Sequence, residues 1–103
     1  MHLELDQDGH LLDYTQWTPE IAQQLAEPLQ IQLSAWHLEV LAAVRSFYQQ
    51  FGHAPATRPL LKYLNKSLDP ELNNTVLQQR FNTGLVARQL SRLAGIPKPA
   101  NCL

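Results

Sequence analysis

The residue whose type and place bear most directly on chemistry is Cys102, the single cysteine of this 103-residue chain and the second-last residue. It follows Gly95-Ile96-Pro97-Lys98-Pro99-Ala100-Asn101, a run with two prolines. Proline fixes φ and removes a backbone donor, so helix cannot continue and strand pairing is poor. The stretch 96–103 is therefore predicted to lie extended, as a mobile arm projecting from the last helix. At about 3.1 Å per residue it reaches roughly 25 Å. A thiol at the end of such an arm can enter a partner's active-site pocket, which a buried thiol cannot. Lys98 favours the thiolate and the terminal carboxylate of Leu103 opposes it, so activation is expected in the partner's site. The plain alternative is an incidental cysteine in a frayed tail. The prolines argue against it, because a frayed end has no need of stiffening.

Other reactive side chains form no recognisable centre. His2, His10, His37 and His53 have no metal-ligand spacing with one another or with Cys102, and His37 reads as an edge residue of the core. Asp6, Asp8 and Asp13 lack the remaining ligands of a calcium loop. No metal and no resident cofactor are predicted. The basic residues Arg58, Lys62, Lys66, Arg80, Arg88 and Arg92 suggest a docking face for acidic partner surfaces. Arg58 and Lys62 belong to that face, and Arg88 and Arg92, nearest the arm, are assigned a part in steering Cys102. If the segments 58–66 and 74–81 formed a helix-turn-helix, the same residues would contact phosphates. A net charge of -1 argues against that nucleic-acid reading.

These residues need a scaffold, and the chain can supply one. Hydrophobic residues make up 45% and charged residues 17%, enough for one small core. No apolar run approaches the ~20 residues that cross a bilayer. The start, Met1-His2-Leu3-Glu4-Leu5-Asp6, lacks a basic, apolar leader, and a lone cysteine makes no internal disulfide. A cytoplasmic protein with no membrane association is expected.

Residues 2 to 13 alternate around Asp8-Gly9 and predict a small β-hairpin. Thr18-Pro19-Glu20 starts a helix that Pro28 closes. Ser34 and Gly52 bracket a central helix whose apolar stripe is Trp36, Val40, Ala43, Val44 and Phe47. Leu60, Leu61 and Leu64 mark a short helix, Val76, Leu77 and Phe81 another. A last helix, about Leu85 to Ala94, ends at Gly95 in the left-handed cap position. The expected class is α+β, mostly α: an N-terminal β-hairpin or meander on about five helices in residues 1–95, with the arm at 96–103.

The run Ser91-Arg92-Leu93-Ala94-Gly95-Ile96-Pro97-Lys98-Pro99, with Cys102 beyond it, resembles the C-terminal signature of the DsrC/TusE family. Asp8 to Trp17, His37 to Gly52 with Phe47-Tyr48 and Phe51-Gly52, and Pro55, Arg58 and Leu60 resemble other parts of the family in order and spacing. The resemblance implies a mostly helical fold with a small β-meander and a mobile arm. It also implies that Cys102 takes sulfur as a persulfide from a TusBCD-like complex. Cys102 would then hand it to an MnmA-like enzyme for 2-thiolation of the tRNA wobble uridine. Members serving dissimilatory sulfite reductase carry a second cysteine where this chain has Ser91, so the single-cysteine relay branch is implied. Asn101 stands where glycine is common and still tolerates left-handed backbone angles.

Overall fold

A computed structural model of the protein describes residues 3–99. Its helices begin where the sequence offers caps. The Thr18 hydroxyl accepts the Ile21 N–H at the start of α1, Pro19–Ala26. Ser34 opens α2, Ala35–Phe51, in a capping box: its Oγ accepts the His37 N–H, and His37 Nδ1 accepts the Ser34 N–H at 3.1 Å. That leaves the imidazole proton on Nε2, which donates to the Arg80 carbonyl at 2.8 Å. One histidine thus ties the start of α2 to the end of α4, Asn74–Arg80. The other two helices are α3, Thr57–Ser67, and α5, Val86–Leu93.

The central helix buries the stripe read from its sequence except at Trp36, which is half-buried; Val40, Leu41 and Val44 are inaccessible and Ala43 and Phe47 nearly so. It packs against α3 and α5, while α1 and α4 close on α5. Leu60, Leu64, Leu77, Phe81, Leu90 and Leu93 complete one core, each fully buried. Each such side chain contributes about 1.5–3 kcal/mol relative to exposure. The connection between α1 and α2 is held by Gln23, which donates to the Ile31 carbonyl and accepts the Leu33 N–H.

The predicted N-terminal β-hairpin does not form. The described residues contain no β-strand, only one isolated antiparallel bridge between Leu5 and Leu11, and the fold is all-α rather than α+β. The reason is local. The turn is closed by the Asp6 side chain, whose Oδ1 accepts the N–H groups of Asp8 and His10, both at 2.9 Å. Those bonds, that from His10 first, hold the Asp6 carboxyl below the ordinary aspartate range. Beyond Leu12 the chain leaves the ladder at once, because Asp13 caps a single 3₁₀ turn at Tyr14–Gln16. A ladder cut to one bridge makes no sheet.

Candidate functional site

Cys102 and its neighbour Asn101 lie outside the described residues, so the site that can be built is the root of the arm that carries the thiol. It begins at the end of α5. Gly95 has φ +72, and the chain closes a Schellman pair: the Gly95 N–H reaches the Arg92 carbonyl and the Ile96 N–H the Ser91 carbonyl, each at 3.1 Å. Three of the carbonyls at this end are taken by side chains, a different one each. Trp17 Nε1 donates to Leu93 at 2.8 Å, Arg45 Nη1 to Ala94 at 2.9 Å, and His10 Nδ1 to Ile96 at 2.9 Å. The donors come from the N-terminal turn, the segment before α1, and the middle of α2.

These donors also hold one another. The Arg45 guanidinium lies over Trp17, 4.7 Å from the ring centroid, and over Tyr14 at 5.1 Å. Burial draws its pKa below the ordinary arginine value, with nearby Tyr14 opposing. The group remains a cation at neutral pH, which suits the negative end of α5. His10 is 1% exposed, and its Nε2 is buried without a partner among the described residues. Gly95 itself has no room for a side chain, since a Cβ there would stand 2.6 Å from Trp17 Cδ1.

The arm therefore does not project from residue 96. Ile96 is fully buried, Pro99 is buried, and only Pro97 and Lys98 between them face solvent. Lys98 Nζ sits 2.9 Å from Asp8 Oδ2, the one ion pair among the described residues. Its charge is thus directed at the N-terminal turn, a partner that the sequence reading did not foresee. Burial of Ile96, as the apolar residue that follows a Schellman glycine, outweighs the stiffness of the prolines as the local organiser.

The predicted steering residues separate. Arg92 is half-buried, with Nη1 donating to the Leu25 carbonyl at 3.0 Å and its side chain lying against Gly9. Arg88 is half-buried too, with Nε enclosed and without a partner among the described residues. Neither is brought onto a common exposed face with Arg58 and Lys62, which are exposed on α3. Arg80 lies over Trp36 at 4.6 Å. A helix-turn-helix using all six cations would need them outward together, and here Arg88 and Arg92 are half-buried while Arg58, Lys62, Lys66 and Arg80 are exposed. Ser91 is fully buried at the arm root, with its Oγ unpartnered among the described residues. Among the described residues no group of three or more His, Cys, Asp or Glu could hold a metal, and no helix is long and apolar enough to cross a membrane.

Trp17 entered the sequence reading only as the edge of a matched stretch, and Arg45 not at all. A signal existed for Arg45: it falls four residues after Leu41 and three before Tyr48, on the flank of the buried stripe. Replacing it by methionine keeps the length and removes the donor. Loss of one charge-assisted bond and the ring contacts is expected to lower stability by about 1–3 kcal/mol. Arg45→Lys should recover less than half, since an ammonium cannot stack as the planar group does. Full recovery by lysine in urea unfolding would remove the stacking from the account.

Comparison with known proteins places this geometry. The family model described as DsrC like protein matches residues 1–103. The sulfurtransferase TusE homolog of Haemophilus influenzae is 40% identical over 100% of this chain and 94% of its own. Sulfurtransferase TusE of Escherichia coli strain K12 is 38% identical over 98% and 93%. Among solved structures, Allochromatium vinosum DsrC has a TM-score of 0.87 at 32% identity, covering 100% of this chain and 92% of that one. The oxidized gamma-subunit of the dissimilatory sulfite reductase (DsrC) from Archaeoglobus fulgidus has 0.80 at 32%, covering 98% and 92%.

Proposed function

The chain belongs to the DsrC-like family, and from that premise we propose that it is a sulfurtransferase of a sulfur relay, carrying sulfur as a transient persulfide on Cys102. The observation that carries the reading is the near full-length match to relatives named Sulfurtransferase TusE, in a chain whose sole cysteine is second from the end. The chemistry needs a thiolate that accepts a sulfur atom from a donor persulfide and then surrenders it to an acceptor thiolate. No resident cofactor takes part. The donor is a TusBCD-like complex and the acceptor an MnmA-like enzyme that 2-thiolates the tRNA wobble uridine, all within the cytoplasm.

The arm root supports this reading through its geometry. A carrier must present its thiol at a repeatable place, and the three side-chain donors fix the chain as far as Ile96 in one position on the domain. Residues 97–103 then span at most ~3.3–3.6 Å each from that fixed point. Ser91, buried where the two-cysteine members have their second thiol, cannot supply a resolving sulfur, so release of the persulfide falls to the partner.

The direct test is intact-protein mass spectrometry after incubation with a cysteine desulfurase, cysteine and the loaded donor complex. A gain of one sulfur atom, located by digestion to the C-terminal peptide, is expected. No gain with the donor demonstrably loaded would remove the carrier reading.

A further inference from the structure

The end of α2 and the outer face of α3 enclose an open cleft of 270 Å³, lined by Phe47, Phe51, Pro59, Lys62, Tyr63 and Lys66. It is built, not merely exposed. Phe47 and Phe51 lie 4.6 Å apart between centroids, and Tyr63 stands edge-on to Phe47 at 5.3 Å and 87°. The Tyr63 hydroxyl is held against Ser46 and Gln50 on α2, 3.3 Å from each. Yet Phe51 remains 51% exposed, the only aromatic among the large exposed apolar side chains of the described residues.

The charge at this cleft has one sign. Arg58, Lys62 and Lys66 follow at four-residue spacing along α3 and share a face. No carboxylate lines the cleft, and the one ion pair among the described residues, Lys98 with Asp8, lies elsewhere. In a chain of net charge -1 such a stripe is local rather than general. Cations left uncompensated beside an exposed ring complement a ligand that is both anionic and apolar.

We propose that this cleft is a docking site for an acidic segment of a protein partner, with one leucine or aromatic side chain seated on Phe47, Phe51 and Tyr63 and flanking carboxylates paired with Lys62 and Lys66. The rings meet edge-on and tilted, making a recess for a side chain rather than a flat platform for stacked bases. The site also stands close to the arm along the scaffold: Phe51 is six residues beyond Arg45 on α2, a rise of about 9 Å. That the partner is a relay protein rests on the carrier reading; that the cleft binds such a segment does not.

The experiment uses the full-length ¹⁵N-labelled chain, titrated with a peptide rich in Glu and Asp around a central Leu-Phe pair. A control peptide carries Lys in place of every acid. Amide shifts confined to residues 47–51 and 58–66, weakening as salt rises, are expected with the acidic peptide alone. Lys62→Glu/Lys66→Glu should weaken binding roughly tenfold or more, a loss of about 1.4 kcal/mol at the least. Phe51→Ala should weaken it without moving the salt dependence. All these side chains are at least partly exposed, and an unchanged spectrum outside the cleft confirms the fold of each variant.

Absent or scattered shifts overturn the proposal, as does equal binding of the lysine peptide. Tighter binding of oligouridylate at the same residues overturns it in favour of RNA. Concentration-dependent shifts without peptide would assign the cleft to a second copy, and changes there on removing residues 100–103 to the chain's own tail. Sulfur loading of Cys102, read by mass on the wild-type chain, is independent of all these outcomes. A chain that loads sulfur but binds no acidic peptide loses only the docking site, and one that binds but never loads loses only the carrier reading.

Discussion

Cys102→Ser is expected to abolish sulfur transfer outright while leaving the fold in place. A persulfide is a sulfur–sulfur bond formed by a thiolate, and a serine hydroxyl offers neither the anion at neutral pH nor a sulfur to bond. No other cysteine exists in the chain to substitute. The change replaces one atom, and the buried side chains of the described core end at Pro99. Stability should therefore move by no more than about 0.5 kcal/mol, a few degrees in midpoint for a domain of this size. Transfer from the loaded donor to the acceptor, followed through ³⁵S-labelled product, should fall to the background without carrier. Residual transfer by the serine variant would mean that the chain acts as a scaffold and not as a carrier.

The structure also decides how the arm should be cut. Truncation after Pro99 removes the thiol and leaves the arm root whole. Truncation after Gly95 removes Ile96 as well, which exposes its pocket and strands the donor of His10. Only the first is a clean counterpart of Cys102→Ser, and the two truncations should differ in stability even though both are silent in transfer.

How far the sequence could be read depended on whether the deciding interaction was local. The central helix announced itself because its apolar spacing, its Ser34 cap and its Gly52 stop all lie within one stretch of chain. The N-terminal hairpin was misread because alternation of Leu3 and Leu5 and the Asp8-Gly9 pair are local evidence too. What overrode them was an Asp6 carboxylate taking two backbone donors, and an Asp13 cap starting a 3₁₀ turn just beyond. The family was legible from the order of residues alone, above all from the run Ser91 to Pro99. The arm's seat was not, because it rests on bonds spanning 49 to 86 residues, from Arg45, Trp17 and His10 to carbonyls that any sequence would carry. Backbone acceptors leave no mark in the sequence. Gly95 was the one visible trace, and it was read as a cap without the tryptophan that forbids it a side chain.

That tryptophan makes Gly95→Ala the substitution with the largest expected cost to the fold. A non-glycine residue in the left-handed region costs about 1–2 kcal/mol. The same chain contains a control for that term: Gly52 ends α2 at φ +78, and a Cβ placed there would meet nothing within 4 Å, so Gly52→Ala should cost the conformational term alone. At Gly95 the new Cβ meets Trp17 Cδ1 at 2.6 Å and Cγ at 3.0 Å. The indole must move, and the Nε1 bond to Leu93 and the stack under Arg45 move with it. A broken buried bond adds about 1–3 kcal/mol. The total expected for Gly95→Ala is about 2–5 kcal/mol, a fall in midpoint of roughly 8–25 °C for a domain of this length. Gly95→Asn separates the two causes. Asparagine tolerates the left-handed angles but brings the same Cβ, so at position 95 it should keep the ring term of about 1–3 kcal/mol and at position 52 be nearly harmless. Trp17→Leu supplies the second leg of the cycle. With the indole gone, Gly95→Ala should lose most of its excess over Gly52→Ala, and a coupling below about 0.5 kcal/mol would show that the glycine is kept for its backbone angle and not for the ring above it.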